Sequence, residues 1–275
     1  MNIAVAGATG TSGRVICDEL ARRGLEVTPL TRGSGVDLLT GDGLREALAG
    51  CSAVIDASNV VPADDHMSPG DAIVTATRNL LEASADAGAG RYVLLSIINI
   101  DDPGLAEFGY YRAKLDQEAV AREATVPGVV VRSAQWFDFA VNPAAVTLHE
   151  NRVEAQDWSI QPIALTAVAR ELVDAATSVG AGDVSVAGPE PMRLPELTRP
   201  PLPRRPRRRS AGHPDSPVVA RVRRRRPARS ARCQTARPYA RRVAGHARRG
   251  LTAPTPDGPR RPDRPDRLDC PDDPD

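Results

Sequence analysis

The stretch "NIAVAGATGTSGRVI", residues 2 to 16, constrains the fold more than any other part of the chain. A short apolar run of strand character passes at once into a turn carrying Gly7, Gly10 and Gly13, and then into a segment with Val15, Ile16 and Leu20 on one side of a helix. Glycine lets the backbone turn tightly and lets its N–H groups approach a bound group closely. A strand delivered through such a turn into a helix opens a β-α-β unit, and the residues that follow keep the same alternation.

"LEVTPLT" supplies a second strand, "GVDLL" a short third, "GLREALAG" a helix and "SAVIDAS" a fourth strand. Residues 71 to 87 place Ile73, Val74, Leu80 and Leu81 at helical spacing. "RYVLLSI" reads as strand five, residues 109 to 123 as a helix, "GVVVRS" as strand six and residues 166 to 179 as another amphipathic helix before "DVSVAG". Near-continuous apolar strands alternating with helices predict an α/β domain, a doubly wound parallel sheet covered on both faces.

The alternation ends near Leu197, and the charge changes sign there. Residues 1 to 197 hold 14 basic and 27 acidic side chains, a balance of −13, whereas residues 198 to 275 hold 22 and 8, a balance of +14. The first part is an expected globular domain. The second, beginning "TRPPLPRRPRRRS", is rich in Arg and Pro and contains no Ile, Phe, Trp, Lys, Glu, Asn or Met. Such a composition buries too little apolar surface to offset chain entropy, so a disordered C-terminal tail is expected. Two readings of that tail stand side by side. It is either a basic arm for nucleic acid or the out-of-frame product of a GC-rich gene, in which Arg and Pro accumulate and Ile, Phe, Lys and Asn disappear.

The chain opens on a strand rather than a leader, and no run of 18 apolar residues occurs, so no membrane association is expected. Cys17, Cys51, Cys233 and Cys270 show no metal-binding or disulfide spacing, which fits a reducing cytoplasm. The four histidines are scattered, and no metal site is expected.

The glycine turn at the start of a helix suits a pyrophosphate, because backbone N–H groups and the positive helix end both favour anionic charge. Gly7, Thr9, Gly10, Thr11, Ser12 and Gly13 are therefore candidate contacts for a dinucleotide. An acidic residue at the end of strand two would hold a free ribose. "PLTRGSG" has none there and offers Arg32 instead, so NADP(H) is expected over NAD(H). Asp37 and Leu38 are candidates for the adenine edge, and Ala57, Ser58 and Asn59 for the nicotinamide side.

Lys114 is the only lysine in the chain and lies four residues after Tyr110, so both project from one helix face. A phenol with an ordinary pKa near ~10 becomes a useful proton carrier at neutral pH when a cation favours its ionised form. A compact ammonium can also hold ribose hydroxyls, which the planar arginine fork does poorly.

"GATGTSG", the "YYRAK" instance of Y-x-x-x-K and the serine of "VLLSI" together resemble the short-chain dehydrogenase/reductase superfamily, in its atypical NmrA-like and epimerase-like branch, over residues 1 to 197. The resemblance implies an NAD(P)-binding Rossmann domain. It also implies that Ser96 polarises a carbonyl or alcohol, Tyr110 passes the proton, and Lys114 lowers the tyrosine pKa and holds the ribose. Asn99 and Tyr111 are alternative participants, since only 14 positions separate Ser96 from Tyr110. The implied activity is oxidoreduction of a small carbonyl or alcohol substrate; the alternative is a dinucleotide sensor without turnover. Trp136 in "SAQWFDFA" is a candidate wall of the substrate pocket, with Phe137 and Phe139 as readily core residues. "WSIQPIAL" resembles the family segment that returns beside the cofactor, making Gln161 and Pro162 further candidates.

Overall fold

A computed structural model describes residues 1–62, 65–150 and 152–198, with the backbone of 220–222. Six parallel strands form its centre: β1 (Asn2–Ala6), β2 (Glu26–Leu30), β3 (Ala53–Asp56), β4 (Tyr92–Ile97), β5 (Gly128–Ser133) and a late strand (Val184–Ala187). Between β5 and that late strand the chain forms three short strands, β6 (Val146–Leu148), β7 (Val153–Ala155) and β8 (Ser159–Ile160), which makes the late strand β9. The parallel order across the sheet is β2-β1-β3-β4-β5-β9. The expected doubly wound α/β fold is therefore present.

Alternation along each strand produces two cores. Ile3, Val5, Ile55, Val93, Leu95, Val129 and Val131 point to one face, where they meet α1 (Thr11–Arg22) and α5 (Leu165–Thr177) through Ile16, Leu20, Val168 and Leu172. Ala4, Ala6, Val54, Tyr92, Leu94 and Val130 point the other way. There α2 (Leu44–Leu48), α3 (Pro69–Asp86) and α4 (Gly109–Glu123) cover them with Leu44, Leu48, Leu80 and Ala121. Burial on both faces is why these strands read as continuous apolar runs. Pro29 interrupts the N–H ladder of β2 without loss because β2 is the sheet edge.

The expected strand at "GVDLL" does not form. Residues 32 to 34 make a short 3-10 turn, and Asp37 turns its carboxylate back onto the Leu39 and Thr40 amides at 2.7 and 3.3 Å. Gly35, Gly41 and Gly43, all at positive φ, bracket the segment, so the chain reverses before a strand can extend. β2 therefore stays at the edge.

A third, smaller core lies beyond the carboxyl ends of the strands. Ala145, Val146, Trp158, Ile160 and Leu194 pack there, with the β6–β7 hairpin, β10 (Met192–Arg193, antiparallel to β8) and α6 (Leu194–Leu197) around them. The tail expected from residue 198 onward falls outside the described residues apart from Thr198 and the backbone of β11 (Ala220–Val222), which adds antiparallel to β9.

Candidate functional site

The chain leaves β1 in one direction to β2 and in the other to β3, and the crevice at the carboxyl ends of strands is where open α/β sheets bind ligands. A cavity of about 1310 Å³ lies there. It exceeds the ~300–1,000 Å³ usual for drug-sized ligands. Gly7, Thr9, Gly10, Thr11, Ser12, Arg32, Asp37, Leu38, Ala57, Ser58, Asn59, Ser96, Tyr110, Lys114 and Trp136 all line it.

The glycine turn is built from close approaches. Gly7 has φ +75°, and a Cβ on it would meet the Ala57 carbonyl oxygen at 2.7 Å. A Cβ on Gly13 would overlap the Gly7 carbonyl oxygen, so Gly13 seats α1 against the turn rather than facing the cavity. Gly10 caps α1 without any side-chain acceptor, which leaves first-turn N–H groups for an anion.

At the far side of this turn, Thr31 and Ser34 cap each other and set the loop that carries Arg32. Arg32 is exposed, and its guanidinium has no ion pair among the described residues. Asn79 of α3 donates to the Leu38 and Leu39 carbonyls at 3.0 and 2.8 Å and pins the adjoining loop. Its distance in sequence hid that function.

The end of the cavity near α4 is held by buried polar groups. Asp56 is 1% exposed and accepts from the Ser58 amide and hydroxyl at 2.9 and 2.6 Å, from Tyr92 at 2.6 Å and from Gln117 at 3.2 Å. Burial, then the Asp56 charge, pushes the Tyr92 phenol well up, so it remains a donor. Gln117 also donates to Thr77 and accepts from Lys114 through its amide oxygen. The Lys114 ammonium, 4% exposed, donates to the Leu95 carbonyl at 2.9 Å as well. Burial holds Lys114 below its ordinary pKa, opposed by the charges of Asp56 and Glu118.

Ser96 donates to Glu118 at 2.6 Å. Glu118 is fully buried and takes a two-point contact from Arg132 at 2.8 and 2.6 Å, with Arg122 at 3.0 Å. Burial would raise that carboxyl, but the hydrogen bonds of Arg132 and Ser96 and the charges of Arg132 and Arg122 hold it below its usual range. Asp56, Gln117 and Glu118 carried no recognisable motif. Each has a partner far off in the chain, such as Arg132 for Glu118, 14 residues away, and Gln117 for Asp56, 61 away.

Ser96, Tyr110 and Lys114 thus face one cavity without being joined to each other. Tyr110 is 47% exposed, and the partial desolvation of its phenol, with Tyr111 next, pushes that group up rather than down. Trp136 donates its indole N–H to Ser133 at 3.1 Å and packs on the main core beside the cavity. Phe137 is exposed, and Phe139 stacks against Trp158 in the small core. Gln161 lies elsewhere, clamping Gly188 through a 2.6 Å hydrogen bond to its carbonyl and lining a second cavity. Pro162 lines neither cavity; its carbonyl lies against Gly188.

The family model described as NAD(P)H-binding matches residues 7–178. The chain belongs to this NAD(P)H-binding family. No curated protein matches the chain. Among solved structures, UDP-glucose 4-epimerase of Thermus thermophilus in complex with NAD shares 19% identity at TM-score 0.54, covering 72% of this chain and 81% of its own. A short-chain dehydrogenase/reductase superfamily protein of Agrobacterium tumefaciens with bound NAD shares 18% at TM-score 0.55, covering 72% and 81%. Citrobacter sp. triphenylmethane reductase complexed with NADP(H) shares 18% at TM-score 0.53, covering 72% and 73%. These likenesses concern the fold. Among the described residues no group of three or more metal-ligating side chains occurs, and no helix is long and apolar enough to cross a membrane.

Proposed function

We propose that this protein is an NADP(H)-dependent oxidoreductase acting on a small carbonyl or alcohol substrate. The observation that carries the reading is that Tyr110 and Lys114 of α4 line the same cavity onto which the glycine turn opens. The cofactor fits the residues present: a glycine turn that close backbone approach holds at the cavity's edge, uncapped helix N–H groups, and Arg32, which makes no ion pair among the described residues. Gly7, Thr9, Gly10, Thr11 and Ser12 would hold the pyrophosphate, Arg32 a 2′-phosphate, Asp37 and Leu38 the adenine edge, and Ala57, Ser58 and Asn59 the nicotinamide side. When bound, the cofactor supplies or accepts the hydride.

Tyr110 holds the proton at its phenolic oxygen and exchanges it with the substrate oxygen. Lys114 orients the ribose and lowers the barrier to phenolate formation, a task that requires its ammonium to exchange an internal acceptor for the ribose. Ser96 adds a hydroxyl beside the reacting oxygen if it is released from Glu118. NADPH oxidation with a panel of small carbonyl compounds tests the reading. Tyr110→Phe is expected to abolish turnover, a loss of about 10²-fold or more, while cofactor binding stays nearly intact. Retained activity would transfer the proton role to Tyr111.

The second reading is a dinucleotide sensor without turnover. Two observations favour it: the Ser96 hydroxyl is committed to Glu118, and the Lys114 ammonium to Leu95 and Gln117. Tight cofactor binding with no oxidation across the panel would decide for the sensor.

A further inference from the structure

A second cavity, about 320 Å³, adjoins the first. Ile97, Tyr111, Ala134 and Gln135 line both, so the two chambers share a wall at the α4 end of the crevice. The smaller one is otherwise enclosed chiefly by the loop after β4 and by β8 with the residues beside it. Its volume is at the low end of sites for small molecules.

The chemistry of its wall is selective. Ile97, Ile98, Leu105, Ile160 and Pro191 are apolar, and Tyr111 adds an aromatic ring. Asn99 and Gln135 offer amide side chains that make no hydrogen bond among the described residues. No arginine, lysine or histidine lines the chamber among these residues, and its one carboxylate-bearing residue is Asp102, which accepts from the Gly104 amide at 2.8 Å. Carboxylates and phosphates are recognised by guanidinium or ammonium donors, or by clustered backbone N–H groups. An anion entering here would be desolvated beside an aspartate with no cation to receive it. A neutral ring would bury its apolar faces here, direct its reacting carbonyl past Tyr111 into the larger cavity that Tyr110 lines, and leave a second uncharged polar substituent within reach of the Asn99 and Gln135 amides.

We propose that the smaller cavity is the substrate chamber and that it selects uncharged, mainly apolar carbonyl compounds, excluding their carboxylated and phosphorylated counterparts. The assignment rests on the oxidoreductase reading for the reaction, but the chamber's selectivity is a property of its own wall. Tyr111, which faces both cavities, is a specificity-determining contact.

Two probes of matched shape and different charge test it. 4-Nitrobenzaldehyde and 4-carboxybenzaldehyde are titrated calorimetrically into the protein saturated with NADP⁺, so that binding is read without turnover. The nitro compound is expected to bind at least tenfold more tightly. Tyr111→Ala should weaken it fivefold or more. Asp102→Asn, which keeps an acceptor for Gly104, should narrow the tenfold preference to threefold or less. Equal affinities, tighter binding of the carboxylate, no binding of either probe at millimolar concentration, or a preference that ignores both substitutions would each overturn the assignment. The nitro compound is then mixed with the protein and NADPH. Selective binding without NADPH oxidation would refute hydride transfer for this carbonyl while upholding the chamber, so the two failures are distinguishable.

Discussion

Arg32 and Lys114 are the two cations lining the larger cavity among the described residues, and the fold treats them in opposite ways. Arg32 is exposed on a short capped loop and makes no ion pair among the described residues. Lys114 is buried, its ammonium already engaged by Leu95 and Gln117 and flanked by the charges of Asp56 and Glu118. A cation in water can wait for a ligand at little expense in folding, whereas a buried one must find acceptors within the protein. The difference predicts which positions report on binding alone and which report on folding as well.

The largest effect belongs to the ion pair behind Lys114. Arg132→Met would leave the fully buried Glu118 with the Ser96 hydroxyl and, as its remaining cation, the partly exposed Arg122, and unfolding in urea is expected to register a loss of about 3–5 kcal/mol. A loss below ~1 kcal/mol would show that the pair does not anchor α4 to the sheet.

Acid should erode this ion pair and a second one on α1. Hydrogen bonding from Arg22, opposed by burial and aided by Arg23, holds Glu19 at about 2, and Glu118 is likewise depressed. Folded values below the unfolded value mean stability that is fully present above the ordinary carboxylate pKa of ~4.3 and lost as pH falls through the folded values. Thermal unfolding is therefore expected to be flat from about pH 7 to about pH 5 and to decline below it. A Glu118→Gln variant should show a shallower decline.

Gln117→Leu would cut the bridge between Lys114 and Asp56 and remove a donor from each of Asp56 and Thr77. A destabilisation of about 1–3 kcal/mol is expected in urea, together with weaker cofactor binding, because Lys114 loses one of its supports. Unchanged binding would separate the network from the site.

Arg32→Ala should have the smallest effect on folding, within about 0.5 kcal/mol, as is usual for a surface position without partners. Its expected effect on ligand choice is larger: the preference for NADPH over NADH should fall by about 1.5–3 kcal/mol, measured as the change in the ratio of dissociation constants. Equal affinities in the unaltered protein would sink the NADP(H) assignment and reduce Arg32 to a solvated loop residue.

Periodicity was enough to locate five of the six parallel strands, the sixth, β9, falling in "DVSVAG", to which the pattern alone assigns no strand; α4 occupies residues 109 to 123 as its pattern predicts. The glycine turn was equally legible, since close backbone approach leaves glycine as a local mark. "GVDLL" shows where local reading failed. Its apolar residues suit a strand, yet three left-handed glycines and the Asp37 turn redirect the chain within a few residues. Proximity to Tyr110 and Lys114 within one helix could be inferred from spacing, but not the direction in which the ammonium points.

That direction depends on residues far apart in the chain. Asp56 comes from β3, Tyr92 and Ser96 from β4, Gln117 and Glu118 from α4, and Arg132 from β5. Sequence by itself determined the layers, the glycine turn and the four-residue helical spacing of Tyr110 and Lys114, because each arises from the steric and periodic rules of neighbouring residues. Only the tertiary structure decided that Ser96 is tied to Glu118, that Gln161 belongs to a second chamber, and that this chamber is lined without a cation among the described residues. Buried polar groups must find partners wherever packing brings donors and acceptors together, and no local rule names those partners in advance.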